Sequence, residues 1–292
     1  VTAPASSTPL PAARRKSTGL RLATRPNLVI GGALVAFLLG IALVSLVWTP
    51  LPPTKMQIAL KLKAPLEKGL FGTDHLGRDV ASMLMAGAWN SLSIAVSAVA
   101  LGAAVGTALG VTVAARRGLF EAVAMRANDV IFAFPPILSA MMLGALMGTG
   151  RGTAIIAIAT FMVPVFARVT AGAAAQVWAR DFILAARGAG KGVTRITIEH
   201  VLPNIANQII VQVAIQLGLA ILTEAGLSFL GLGMAPPAPT WGRMLADSQT
   251  YLGTAPWLAL MPGLAIALTV FGFNMLGDGL RDLLDPREKG RT

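Results

Sequence analysis

Hydrophobic residues in this chain fall in long uncharged runs, not in the alternating or helical-stripe patterns of water-covered elements. The first run, residues 27–48, is long enough at about 1.5 Å per residue to cross a hydrocarbon core of about 30 Å. A basic stretch precedes it, as in a secretory signal peptide, but signal-peptide cores span only about 7 to 15 residues and end at a small-residue cleavage site. The length and the Trp48-Thr49-Pro50 exit favour an uncleaved anchor. Further runs cover about 88–115, 130–150, 152–176, 201–233 and 251–277, so the pattern predicts an all-α membrane protein with six transmembrane helices. Charge, Gly or Pro marks each junction, and Thr149-Gly150-Arg151-Gly152 alone separates the third run from the fourth. An even number of crossings puts both termini on one side.

Composition agrees. Apolar residues make up 55% of the 292 and charged residues 13%, with a mean hydropathy of +0.70. A water-covered globule carries about 25% charged residues and is excluded. The net charge of +11 would suggest nucleic acid in a polar chain. Here it is assigned to membrane topology, and no nucleic-acid partner is expected. With the N-terminus inside, 17 of the 24 Lys and Arg lie on inner segments and 7 on outer ones, the bias of a cytoplasmic-side excess. The organisation that follows is a disordered basic cytoplasmic tail (1–26), a first transmembrane helix (27–48), an extracytoplasmic segment (49–86), a five-helix core (87–280) and a cytoplasmic tail (281–292). Cysteine is absent, and His75 and His200 are the two histidines, so disulfides, thiolate sites and multi-histidine metal sites are not expected.

Two features suggest packing or docking. Gly102 and Gly106 form a GxxxG spacing that lets helices approach closely, either within the chain or against a partner subunit. Between the fourth and fifth runs, in the inner loop 177–200, Asp181 complements a helix N-terminus, and Phe182, Ile183, Ala186 and Ala189 recur near helical spacing. Gly188 and Gly190 can end that helix. The result is a short amphipathic helix with no evident core to bury its apolar face. Physics leaves two occupants for that face, lipid headgroups or a partner protein.

This loop resembles the EAA loop of bacterial ABC importer permeases, whose pattern is Glu-Ala-Ala, three residues, Gly, nine residues, Ile-x-Leu-Pro. Ala185, Ala186, Gly190, Leu202 and Pro203 match at the right spacing, whereas Leu184 replaces the Glu and His200 the Ile. Further stretches are similar to the C-type permeases of dipeptide, oligopeptide and nickel importers. These are Phe71-Gly72-Thr73-Asp74-His75-Leu76-Gly77-Arg78-Asp79, Glu224-Ala225-Gly226-Leu227-Ser228-Phe229-Leu230-Gly231, Pro236-Pro237-Ala238-Pro239-Thr240-Trp241-Gly242 and Asn274-Met275-Leu276-Gly277-Asp278. Met83 and Trp89 depart from it, standing where that family usually has Arg.

The resemblance implies a type I ABC importer permease fold in the bacterial inner membrane, with the 179–190 helix as a cytoplasmic coupling helix. It also implies four kinds of partner: a homologous second permease, two cytoplasmic ATPase subunits, an extracytoplasmic substrate-binding protein and the surrounding lipid. The ATPase-docking residues on this reading are Asp181, Ala185, Ala186, Arg187 and Gly190. No GxxxxGK[ST] phosphate loop occurs in the chain, so ATP and Mg are expected on the ATPase subunits, with no cofactor here and no enzymatic activity. The imported solute is read as a di- or oligopeptide, with nickel or an opine-like solute as the alternative. A standalone channel is the reading from a different class, and it gives the inner amphipathic helix nothing to do.

Intramembrane polar groups are functional candidates by default. Glu224, Gln212 and Gln216 are candidates for the translocation pathway; the structural alternative is a carboxylate hydrogen-bonded to backbone near the interface for Glu224 and an interhelical hydrogen bond for the two glutamines. Asn128 and Asp129 read as a helix cap, and the glycines around Asp278 as a tight turn. Asp74, Arg78 and Asp79, with Trp241, are candidates for docking a binding protein; His75 with two carboxylates resembles a metal cluster, against which stands a turn closed by an Asp–Arg ion pair.

Overall fold

The computed structural model describes residues 25–284, and the two tails proper lie outside them. Among the described residues ten α-helices carry the fold: α1 (Pro26–Val44), α2 (Val80–Ala115), α3 (Leu119–Ala133), α4 (Pro136–Met147), α5 (Arg151–Trp178), α6 (Asp181–Gly188), α7 (Val193–Ile196), α8 (Leu202–Phe229), α9 (Trp241–Ser248) and α10 (Trp257–Leu284). Five rods in the described residues are long and apolar enough to span a bilayer: α1, α2, α5, α7 with α8, and α10. A sixth crossing is made if the bent pair α3–α4 counts as one span.

Local chemistry sets the boundaries. Asp79 caps α2 by accepting the Ser82 backbone N–H at 2.8 Å and its hydroxyl at 2.6 Å, so this helix starts well before the apolar run that announced it. A π turn over Thr197–Val201 fuses α7 to α8 in one rod, Val193–Phe229. At about 1.5 Å per residue that rod is about 55 Å long, so its first turns stand clear of the hydrocarbon. α10 stays helical to Leu284, so the glycines around Asp278 make no turn. Asn128 and Asp129 sit inside α3, Asn128 buried and Asp129 paired with Arg168 at 2.8 Å, and neither caps a helix.

The expected third span, 130–150, is not one straight helix. α3 and α4 meet at 89° across Phe134 and Pro135. A proline disfavours helical geometry in the residue before it. Here two follow in succession, and Phe134 and Pro135 take extended ψ values of 128° and 132°.

α2 and α5 run parallel and form the largest helix contact. Gly102, Gly106 and Gly110 face α5 at every fourth position, and a Cβ on Gly106 would strike the Val163 carbonyl and Phe166. The GxxxG face is therefore consumed within the chain, where missing side chains let two helices touch along their backbones. α1 lies antiparallel on α10, with Gly31 against Leu276 and Gly279 against Leu28. This pairing brings Arg25 and Leu284 to one end of the bundle, the end that also carries α6.

Candidate functional site

At the α6 end the loop between α5 and α8 folds back on the helices it joins. Ile183 and Ala186 of α6 enter a cluster with Val111, Ala114, Ala174, Trp178, Ile196, Val201 and Ile205. The apolar face thus has an intramolecular core after all, invisible in the sequence because its walls come from the feet of α2, α5 and α8. The opposite face is free: Asp181, Ala185, Arg187 and Gly190 are exposed, with Phe182 43% and Leu184 61% exposed. Ala186, expected to dock, is 8% exposed and belongs to the seat of the helix. Arg187 stacks over Trp178 at 5.1 Å, and Gly190 turns the chain out of the helix at φ +79°.

Charges brace the same loop. Lys191 donates to Glu199 at 2.6 Å, and Arg195 does so at 2.6 Å. Hydrogen bonds from Lys191 and then Arg195 hold the Glu199 carboxyl down to about 2, so it stays ionised at any cellular pH. Phe182 meets the His200 ring edge-on, and Lys191 Nζ lies 3.1 Å from His200 Nε2. The loop is a fastened block presenting one convex helix.

At the opposite end, the docking candidates turn out to be internal. Asp74, Arg78, Asp79 and Trp241 are between 1% and 7% exposed. Arg78 is fastened to Asp74 through Nε and Nη2, both at 2.6 Å, and reaches Asp247 on α9 at 3.7 Å. The Asp–Arg turn is thus the arrangement observed, and no group of three metal-type ligands exists among the described residues. Trp241 fills the space beside Gly87 and donates its indole N–H to the Leu84 carbonyl at 3.1 Å. These residues lock the 49–79 segment onto α2 and α9, and their burial removes them from any docking surface.

Of the intramembrane candidates, Glu224 is fully buried between helices and accepts the Ser228 hydroxyl at 2.6 Å. Gln216 is 4% exposed. Neither borders an open path. Gln212 does: with Asn204, Asn207, Gln208 and Arg281 it lines a cavity of about 460 Å³ between α5, α8 and α10, closed on its apolar side by Val169, Ile215 and Leu284. Asn204, Asn207, Gln208 and Arg281 were not among the expected site residues. The signal for Asn204 and Gln208 was present in their four-residue spacing from Gln212, which keeps one helix face polar; nothing of that kind pointed to Asn207 or Arg281.

Parallel glycine-packed spans, a bent helix pair and a short amphipathic helix between two spans describe a polytopic membrane protein. A family model described as "Binding-protein-dependent transport system inner membrane component" matches residues 106–290, and the chain belongs to that family. It is a multi-pass inner-membrane permease of an ABC importer. The glutathione transport system permease protein GsiD of Escherichia coli O1:K1 / APEC is 45% identical over 220 residues, 75% of this chain and 73% of the relative. GsiD of Shigella sonnei (strain Ss046) matches equally. Among solved structures, an inward-facing form of the MetNI methionine ABC transporter superposes with a TM-score of 0.59 at 18% identity, covering 70% of this chain and 96% of that one. A second inward-facing form gives 0.59 at 17% identity over 68% and 94%. These structures establish the type I importer permease fold.

Proposed function

We propose that this chain forms half of the translocation pathway of an ATP-driven, binding-protein-dependent importer of short peptides, with a glutathione-like tripeptide as the leading solute. A homologous permease would supply the other half. Two ATPase subunits would bind ATP and Mg and carry the hydrolysis, and an extracytoplasmic binding protein would deliver the solute. The observation that carries the reading is the seating of α6: its exposed face offers Asp181, Phe182, Ala185 and Arg187 to a partner, while Ile183 and Ala186 join it to three spans. Closure of the ATPases against that face would tilt α2, α5 and α8 together, the rigid-body motion on which alternating access depends. The solute class rests on the 45% identity to permeases named for glutathione.

Uptake of labelled glutathione, a labelled dipeptide and radioactive nickel, in cells with and without this chain, tests the proposal. Loss of peptide uptake alone is expected. Loss of nickel uptake alone would overturn the solute, and no loss of any would overturn the importer reading. Phe182→Asp and Gly190→Leu are expected to leave insertion intact while ATP hydrolysis by the assembled transporter proceeds without uptake.

A further inference from the structure

To the cavity beside Gln212, α10 contributes Arg281, and further polar residues precede it on the same helix. Asn274, Asp278 and Arg281 recur at i, i+4 and i+7 and are all exposed, and Asn274 lies against Gly218 of α8. Arg281 shares its cavity with Asn204, Asn207, Gln208 and Gln212 of α8. Asn204 donates to the His200 carbonyl at 2.7 Å; none of the other six side chains has a hydrogen-bond or ion-pair partner among the described residues. Asn274 and Gln212 each stand ten residues inside the end of their helix, about 15 Å from it along the axis. Asp278 and Arg281 stand six and three residues from the end of α10, nearer the inner surface, and the amides at the greater depth cannot face hydrocarbon without large cost. They face water or a polar ligand. Arg281 supplies a fork suited to a carboxylate, Asp278 one helical turn away accepts an ammonium, and the amides of α8 beside Arg281 offer donors and acceptors to peptide bonds.

We infer that the inner halves of α8 and α10 form an inward-facing station for a zwitterionic peptide, with Arg281 on its carboxylate and Asp278 on its amine. This inference rests on the peptide-import reading and adds residues to it. The chain lacks cysteine, so single Gln208→Cys and Asn274→Cys variants report water access directly, with Phe37→Cys on the outer face of α1 as reference. The complete transporter, with cysteine-free partners, is treated in inside-out vesicles with a membrane-impermeant maleimide. Both positions are expected to label about tenfold faster than the reference, and millimolar tripeptide to slow them. Labelling of Asn274→Cys as slow as the reference would mean that lipid or a partner helix covers this face, and labelling indifferent to tripeptide would mean a wet wall that binds nothing; either overturns the inference.

Uptake gives the second readout. In right-side-out vesicles, Arg281→Gln is expected to lower uptake of a tripeptide with a free C-terminal carboxylate about fivefold relative to its C-terminal amide, normalised to transporter abundance. Equal falls for the two would remove Arg281 from the carboxylate. Failure of the unaltered transporter to move any peptide would instead sink the peptide reading itself.

Discussion

Trp241 shows what a single residue contributes to this chain. It is 1% exposed, abuts Gly87, and spans from α9 to the Leu84 carbonyl on α2. Trp241→Ala opens a cavity and removes the indole donor from that carbonyl, a loss of about 3 to 5 kcal/mol. Trp241→Phe keeps most of the packing and loses only the hydrogen bond, about 1 kcal/mol. Thermal unfolding of the purified complex is expected to rank wild type, Phe and Ala in that order; equal midpoints for Phe and Ala would contradict the packing account. Glu224→Gln tests a different residue-scale claim. A side chain buried against Ser228 has no solute to meet, so uptake kinetics are expected to stay within about twofold of wild type. The sequence exposed these residues but not their direction. Asn204, Gln208, Gln212 and Gln216 share a four-residue spacing, which overshoots a 3.6-residue turn by about 40° at each step. The stripe therefore winds from open water at Asn204 into the helix interface at Gln216, and only coordinates show where it crosses.

At the scale of elements, most spans were legible because an apolar run of the right length needs no tertiary context to be a membrane helix. Their ends were not, because caps decide them: Asp79 began α2 inside the segment read as a loop. Phe134-Pro135-Pro136 was in view as well, yet hydropathy counts proline as tolerable and ignores that two in a row force extended backbone. Replacing Pro135 and Pro136 by Ala removes that restriction, and α3 and α4 are expected to straighten. Spin labels on Val123→Cys and Met142→Cys, in this cysteine-free chain, would then move apart from their separation across the 89° bend. An unchanged distance would place the cause of the bend in packing. The inner helix was legible too, as a pattern, while its seat was not: Val111 lies far from Ile183 in sequence, and Ala174 and Ile205 are ordinary members of their own spans.

Across the whole molecule, the apolar surface is unevenly finished. α2 and α5 bury their glycine-rich faces in each other, whereas α3 and α4 leave Val123, Val130, Met141, Met142 and Leu146 between 50% and 82% exposed. Lipid can cover such a face, but a bent pair with so little of its own surface buried is held by few contacts within the chain, and neighbours outside it add to its stability. Produced without its partner permease, the chain is expected to show rapid proteolysis within residues 116–150, suppressed when the partner is co-produced; the cleavage map by mass spectrometry checks this. The knot at the foot of the bundle leads elsewhere, to evolutionary history. Ile183, Val111, Ala174 and Ile205 come from four segments that meet in one close-packed volume. A larger side chain at any one of them must be matched by a smaller one at another, since packed cores tolerate exchange best when total volume is kept. Drift in the inner loop is thus tied to drift in three membrane spans, and among relatives these four positions should change in compensating pairs instead of singly.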